Sequence, residues 1–231
     1  MKIDSVNENS ILISFGDEIS DHLAGCVYAA VKLIRAELHT LIIDLIPSFS
    51  TVLVSFDLRQ TDSLRFKSQL KRLLSEISTT DSNEPSQGKI VELPVYYGPE
   101  VALDMDDICQ HSGKSAEQVI EIHSSGLYRV YAIGFTPGFA YLGNVDLRIA
   151  MPRKATPRLK IPAGSLAIAD TQTAIYPSIS PGGWQIIGRT PIKMIDWDSR
   201  TLALMEMGDQ IRFNPISKDE FLTLGGSLDG L

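Results

Sequence analysis

The fold class this sequence predicts is an α+β N-terminal domain followed by a mostly-β barrel, and three observations predict it. In the first third, strand-like and helix-like runs follow the order β-α-β-β-α. From Tyr128 onward, short apolar runs alternate with Gly/Pro turns at the spacing of a closed or nearly closed β-barrel. Between the two lies TTDSNEPSQG at 79–88, polar and free of large apolar side chains, with the character of a linker. The boundaries that follow are 1–80 for a small α/β, ferredoxin-like domain, 81–89 for the linker (which can include the last strand of the first domain), 90–216 for the barrel and 217–231 for a C-terminal tail, frayed from Leu224 to Leu231.

Ile11, Leu12, Ile13 and Phe15 read as the first strand, closed by a Gly16-Asp17 turn. Ser20 or Asp21 caps the helix that follows, in which Leu23, Val27, Val31, Ile34 and Leu38 recur at helical spacing. Strands are expected at 41–45 and 51–56. A second helix from about Asp62 turns Phe66, Leu70, Leu73, Leu74 and Ile77 inward. This order fits a split-βαβ sheet with both helices on one face, with residues 89–93 as its fourth strand.

In the remaining two-thirds, residues 93–98 read as a strand and 103–109 as a short helix. A second helix over 115–123 opens on a capping box, Ser115 with Gln118. Strands are then predicted at 129–133, 165–169, 173–176, 184–189, 193–196 and 210–213.

Composition narrows the function classes. The chain has 231 residues, 44% apolar and 21% charged, which suits a globular protein with a sizeable core. A net charge of −7 argues against bulk binding to nucleic acid or anionic membrane. Two isolated cysteines, no secretory leader and no membrane-length apolar run are expected of a reduced, cytoplasmic protein.

The chemistry concentrates between Ile133 and Arg189. Phe135 and Phe139 flank the rigid turn Thr136-Pro137-Gly138, and the rings fit either an apolar wall for a flat or cyclic ligand or barrel core. Arg153, Lys154, Arg158 and Lys160 place four cations within eight residues, stiffened by Pro152 and Pro157. They suit either a bidentate grip on an anion or a solvated face. Ser180-Pro181-Gly182-Gly183-Trp184 and Pro162-Ala163-Gly164-Ser165 offer backbone amides to a developing oxyanion, or are only turns. His123 fits an acid/base or a packing residue. The sequence has no P-loop, no GxGxxG and no nucleophile elbow, and Cys109-x-His111 lacks further metal ligands.

Three motifs in this order, GFxPGFxYL, PRxxxPRxxxPAGS and SPGGWxxxGRT, resemble the family of allophanate hydrolase subunit 1, the sporulation kinase inhibitor KipI and the 5-oxoprolinase B subunit (carboxyltransferase domain, subdomain C/D-like). The resemblance runs from about Glu92 to Phe213. It implies a cyclophilin-like barrel behind a small α/β domain. The activity it implies is that of the B subunit of an ATP-dependent 5-oxoprolinase, an amidohydrolase component inactive alone, in a complex that opens 5-oxo-L-proline to L-glutamate. ATP would be co-substrate. The partners would be the A and C subunits of that enzyme, of which the C subunit resembles a biotin-dependent carboxyltransferase. The alternatives are a KipI-like inhibitor of a sensor histidine kinase and a component of an allophanate or urea amide hydrolase. Carried over by motif position, the substrate-binding residues are Phe135, Pro137, Gly138, Phe139, Tyr141, Arg153, Arg158, Pro162, Gly164, Ser165, Pro181, Gly182, Gly183, Trp184 and Arg189. Arg158 and His123 are the catalytic candidates, and no metal is expected.

Overall fold

A computed structural model describes residues 1–75, 77, 88–199 and 202–229. It divides into two compact units, 1–87 and 88–231. Most of the expected linker, 81–87, lies outside the described residues.

The first unit contains β1 (Lys2–Asn7), β2 (Ser10–Ser14), α1 (Asp21–Leu38), β3 (Ile42–Ser48), β4 (Thr51–Phe56) and α2 (Ser63–Leu74). Its strands lie in the order β1-β2-β4-β3, each antiparallel to its neighbour. β2, α1 and β3 therefore form a split βαβ unit, with β4 between the two parallel strands. Period-two burial in β4 (Val52, Val54, Phe56) meets helical-period burial in α1 (Val27, Val31, Ile34, Leu38) and α2 (Phe66, Leu70, Leu74). The Phe56 and Phe66 rings stack at 4.6 Å. Ser20 Oγ accepts from the Leu23 N–H at 3.2 Å, which fixes where α1 begins. The fourth strand of this sheet is β1, not the expected 89–93. KIDSVN carries one buried residue, Ile3, so its hydrophobic pattern is too weak to announce a strand. Backbone pairing to β2 makes it one.

The second unit contains β5 (Ile90–Val95), α3 (Met105–Ser112), α4 (Ala116–Ser125), β6 (Tyr128–Ile133), β7 (Ala140–Gly143), β8 (Arg158–Ile161), β9 (Ser165–Ala169), β10 (Gln172–Ile175), β11 (Ser180–Gly182), β12 (Gln185–Arg189), β13 (Gln210–Pro215) and α5 (Lys218–Thr223). β5 pairs in parallel with β13, which is why 89–93 belongs here. The path runs β5-β13-β6-β7-β10-β9-β12. β9 and β12 are buried at every position, as strands covered on both faces must be. Leu93, Val95, Val130, Leu142, Ile168, Ile187 and Phe213 form the main core.

The unit is thus mostly antiparallel sheet with a few helices. Among the described residues no continuous ladder closes it into the expected barrel. β12 pairs with the chain just beyond β5 at an isolated bridge, where Tyr96 and Arg189 exchange backbone hydrogen bonds of 2.9 and 2.8 Å. Gly188 permits that approach, since a Cβ there would stand 2.9 Å from the Tyr96 carbonyl oxygen. The strand expected at 193–196 is reduced to one bridge, Ile195 with Ala203. The segment expected to fray is held over its described residues, 224–229. α5 has a complete Ser217/Glu220 capping box, and Arg189 bonds the segment beyond it. No helix among the described residues is long and apolar enough to cross a membrane, and Cys26 and Cys109 are free thiols.

Candidate functional site

Short secondary structure brings two of the three motifs together. β8 pairs with β11 in a two-stranded sheet, setting Ser180 opposite Ile161 and Gly182 opposite Arg158. The Lys154 amide also donates to the Gly183 carbonyl at 2.7 Å. The expected loop at Ser180 is therefore partly strand, and it lies along the cation-bearing segment.

Those cations are organised by a residue that sequence reasoning missed, Asp104. It stands at the N-cap of α3 yet makes no side-chain capping bond. Its carboxylate is 1% exposed. It accepts from Arg158 Nη1 and Nη2 at 2.7 Å each, from Lys154 Nζ at 2.6 Å and from the Ile186 amide at 2.7 Å. Burial pushes the Asp104 carboxyl up, but the hydrogen bonds from Arg158, Lys154 and Ile186 outweigh it and hold the group below its ordinary range. Arg158 is raised, chiefly by the same carboxylate. Asp104 falls at the start of the helix predicted over 103–109 and belongs to no motif, and only the fold shows that it faces Arg158. The bidentate edge of Arg158 is therefore filled from within the chain, and its expected role as a free anion grip does not stand.

Arg153 is the exposed cation beside this cluster, its guanidinium 5.7 Å from the centre of the Trp184 ring. Lys160 points to solvent from β8. The aromatic set divides by burial. Phe139, 2% exposed, packs edge-on at 4.9 Å from Tyr141, 5.4 Å from Tyr176 and 5.7 Å from Trp184. It is core. Phe135 has φ +71° and is 61% exposed, with its ring 5.4 Å from Phe139. Pro137 and Gly138 form the turn between them, and Gly138 backs onto Met194 and Ile195. Alongside Arg153 opens a cleft of about 460 Å³, lined by Asp107, His111, Pro152, Lys154 and Gln185 among others. Gln185 donates to the Pro152 carbonyl at 2.8 Å, while its Oε1 is buried with no partner. A buried carbonyl oxygen left so keeps an unspent acceptor beside the cleft. Gln185 falls at the first unspecified position of SPGGWxxxGRT and so carries no sequence signal of its own.

The remaining expected residues lie elsewhere. Pro162, Gly164 and Arg189 line a separate cavity of about 300 Å³ that shares no lining residue with the cleft or the aromatic cluster. Two of the amides expected to face an oxyanion, those of Gly164 and Ser165, are already used. Gly164 N–H donates to Tyr176 at 2.7 Å, and Ser165 N–H donates to Pro162 at 3.3 Å. Gly164 has φ +81°, and a Cβ there would stand 2.5 Å from the Thr190 carbonyl oxygen. Ser165 is fully buried, with Oγ unpartnered. Arg189 is 3% exposed, and its Nη1 donates to the Ser227 and Asp229 carbonyls at 2.8 and 2.9 Å.

His123 is a core residue. It is wholly buried between the Tyr128 and Phe213 rings, 5.1 and 5.0 Å from their centres. Thr173 Oγ1 spends its proton on the Ala167 carbonyl at 2.9 Å, so it accepts from His123 Nε2–H at 3.2 Å. Nδ1 then accepts from Tyr97 Oη at 3.0 Å. Burial lowers the imidazole to about 3, and it stays neutral at physiological pH. With both nitrogens engaged and no exposure, it has no route to a substrate. The acid/base role expected for it does not stand.

Comparison with known proteins fits this architecture. The family described as carboxyltransferase domain, subdomain C and D, matches residues 1–205. A Bacillus subtilis protein named as the B subunit of 5-oxoprolinase is 36% identical over 227 residues, covering 95% of each chain. Its Haemophilus influenzae namesake is 33% identical, covering 92% of this chain and 97% of its own. The urea amidolyase of Saccharomyces cerevisiae is 23% identical over 91% of this chain, a match spanning 13% of that protein. Among solved structures, TTHA0988 superposes with a TM-score of 0.79 at 30% identity, covering 91% of this chain and 40% of its own.

Proposed function

The chain belongs to the carboxyltransferase-domain family, subdomains C and D, and on that premise we propose that it is the B subunit of an ATP-dependent 5-oxoprolinase. In this reading it works with the A and C subunits of that enzyme, in the cytoplasm, to open 5-oxo-L-proline to L-glutamate, with ATP as co-substrate. It is inactive alone. The chain carries no P-loop, and the reading assigns it no phosphate-binding step. Its cyclophilin-like character belongs to the same reading, supported by the near-return of the sheet at Tyr96 and Arg189.

One observation carries the reading to a site: an exposed cation and an unpartnered buried carbonyl border one cleft. 5-Oxoproline presents a carboxylate, a flat ring and a lactam N–H. Arg153 would meet the carboxylate, and Trp184 with Phe135 the ring. Gln185 Oε1 would accept the lactam N–H. Holding the ring by its N–H and its carboxylate fixes the orientation of the amide bond to be broken. In this reading Gly182, opposite Arg158 in the β8–β11 pair, and its neighbours Pro181 and Gly183 lie beside the site, and Arg158 is held by Asp104 rather than touching substrate.

The experiment is reconstitution. The chain mixed with the A and C subunits, ATP and 5-oxoproline is expected to release glutamate, and leaving it out to abolish release. Unchanged release without it refutes the reading. The urea amidolyase match supports a second reading, in which a linear ureido amide replaces the lactam. Activity of the reconstituted complex on allophanate but not 5-oxoproline selects that one.

A further inference from the structure

The cavity around Arg189 takes no part in the proposed reaction, yet it holds the most deeply buried cation of the motif region. Arg189 is 3% exposed, and its guanidinium forms no ion pair with a described carboxylate. Asp229 acts on it only through space, and burial works against its charge. Its bonds are two backbone carbonyls, Ser227 and Asp229, both on Nη1, while Nε is buried without a partner. Taking a cation out of water is costly unless an opposite charge or a full set of acceptors replaces the solvent. Two carbonyl dipoles on one nitrogen do neither. They leave the guanidinium without an anion, and a carboxylate in place of those carbonyls would supply one.

The surroundings are a built site. Gly164, at φ +81°, lets the chain turn directly against the Thr190 carbonyl. Pro162, Pro177, Ile179, Ile192 and Met194 supply an apolar wall, and residues 225–229 form one side of the cavity. That side is strapped down by the very carbonyls that occupy Nη1. A volume of about 300 Å³ is at the lower end of small-molecule pockets.

From this arrangement we propose that the Arg189 cavity binds a small monocarboxylate with an apolar body, and that the Ser227 and Asp229 carbonyls stand where the carboxylate oxygens go. The segment 227–229 is then a strap that competes with the ligand for one guanidinium. The proposal does not rest on the 5-oxoprolinase reading, because none of its residues borders the cleft at Arg153.

Butyrate and its neutral counterpart butyramide are the probes. Each is titrated into the full chain and into a chain ended after Gly226, which keeps the backbone bonds that cap α5 and lacks the strap carbonyls. The arginine Nε–Hε resonances of nitrogen-15-labelled protein are the readout. One resonance, absent from Arg189→Lys, is expected to shift saturably with butyrate and not with butyramide. The shortened chain is expected to bind about tenfold more tightly, since charge-assisted hydrogen bonds no longer compete. Saturation seen only in the shortened chain also supports the proposal. No saturable shift in the shortened chain overturns it. So does an equal response to butyramide, or a response that persists in Arg189→Lys. Should that variant fail to fold, the comparison of butyrate with butyramide in the shortened chain decides alone. Glutamate release by the reconstituted complex is scored separately, so either idea can fail while the other stands.

Discussion

Replacing Arg158 by alanine tests whether Asp104 organises the cation cluster. The substitution removes two charge-assisted hydrogen bonds of 2.7 Å from a carboxylate that is 1% exposed. Breaking a buried ion pair by deleting one partner costs about 3–5 kcal/mol. Here the loss is smaller, because Lys154 Nζ at 2.6 Å and the Ile186 amide at 2.7 Å stay on the carboxylate. Arg158 itself is 25% exposed, so part of its attraction is already screened. A destabilisation of about 2 kcal/mol is expected, or roughly 6 °C for a unit of this size. Urea unfolding followed by tryptophan fluorescence reads it, because Trp184 is 5% exposed beside the cluster while Trp197 is 72% exposed and changes little. The decisive measurement is the cycle with Asp104→Ala. If the two side chains act as a unit, the double variant loses less than the sum of the singles by at least about 1 kcal/mol. Additivity within about 0.5 kcal/mol, or an unmoved midpoint in Arg158→Ala, refutes the reasoning. The pH dependence has a definite sign. The folded Asp104 carboxyl lies below its ordinary value, so its contribution is present above the unfolded value near ~3.9 and is lost as pH falls through the folded one.

Three further outcomes are expected. Arg153→Ala, at an exposed position, leaves the urea midpoint within about 0.5 kcal/mol of the parent and lowers kcat/KM for 5-oxoproline in the reconstituted complex at least about tenfold; an unchanged kcat/KM removes Arg153 from the substrate site. His123 is held at about 3 in the folded chain, below its unfolded value near ~6.5, so the unfolded state binds the extra proton between the two. Stability that is full above pH ~6.5 then falls by about 1.4 kcal/mol per unit below it, and His123→Gln flattens that slope; an equal slope in urea midpoints of the variant between pH ~7 and ~5 contradicts the buried neutral imidazole. Gly164→Ala places a Cβ 2.5 Å from the Thr190 carbonyl oxygen at φ +81°, and a loss of about 1–3 kcal/mol is expected in thermal unfolding; a neutral result means that this turn relaxes.

Much of the fold was legible because burial repeats with the period of the element. Val27, Val31, Ile34 and Leu38 announce α1, and the Ser20 and Ser115 caps fix two helix starts. The motifs alone marked the family and the segment that carries the cleft. What they could not carry was direction. Arg153, Arg158 and Arg189 are equivalent as letters, yet one lies exposed over Trp184, one is paired with Asp104 and one is buried under the 227–229 strap. Asp104 is 54 residues from Arg158, and His123 is 50 from Thr173. No local pattern reports contacts at such separation. The sequence by itself determined the helices α1 to α4 and the strongly apolar strands, since propensity and hydrophobic period act between near neighbours, while β1, β8 and β11 exist through pairing alone. Only the tertiary structure decided which charges are satisfied and which are free, because hydrogen bonding and desolvation depend on what the fold brings within about 3 Å.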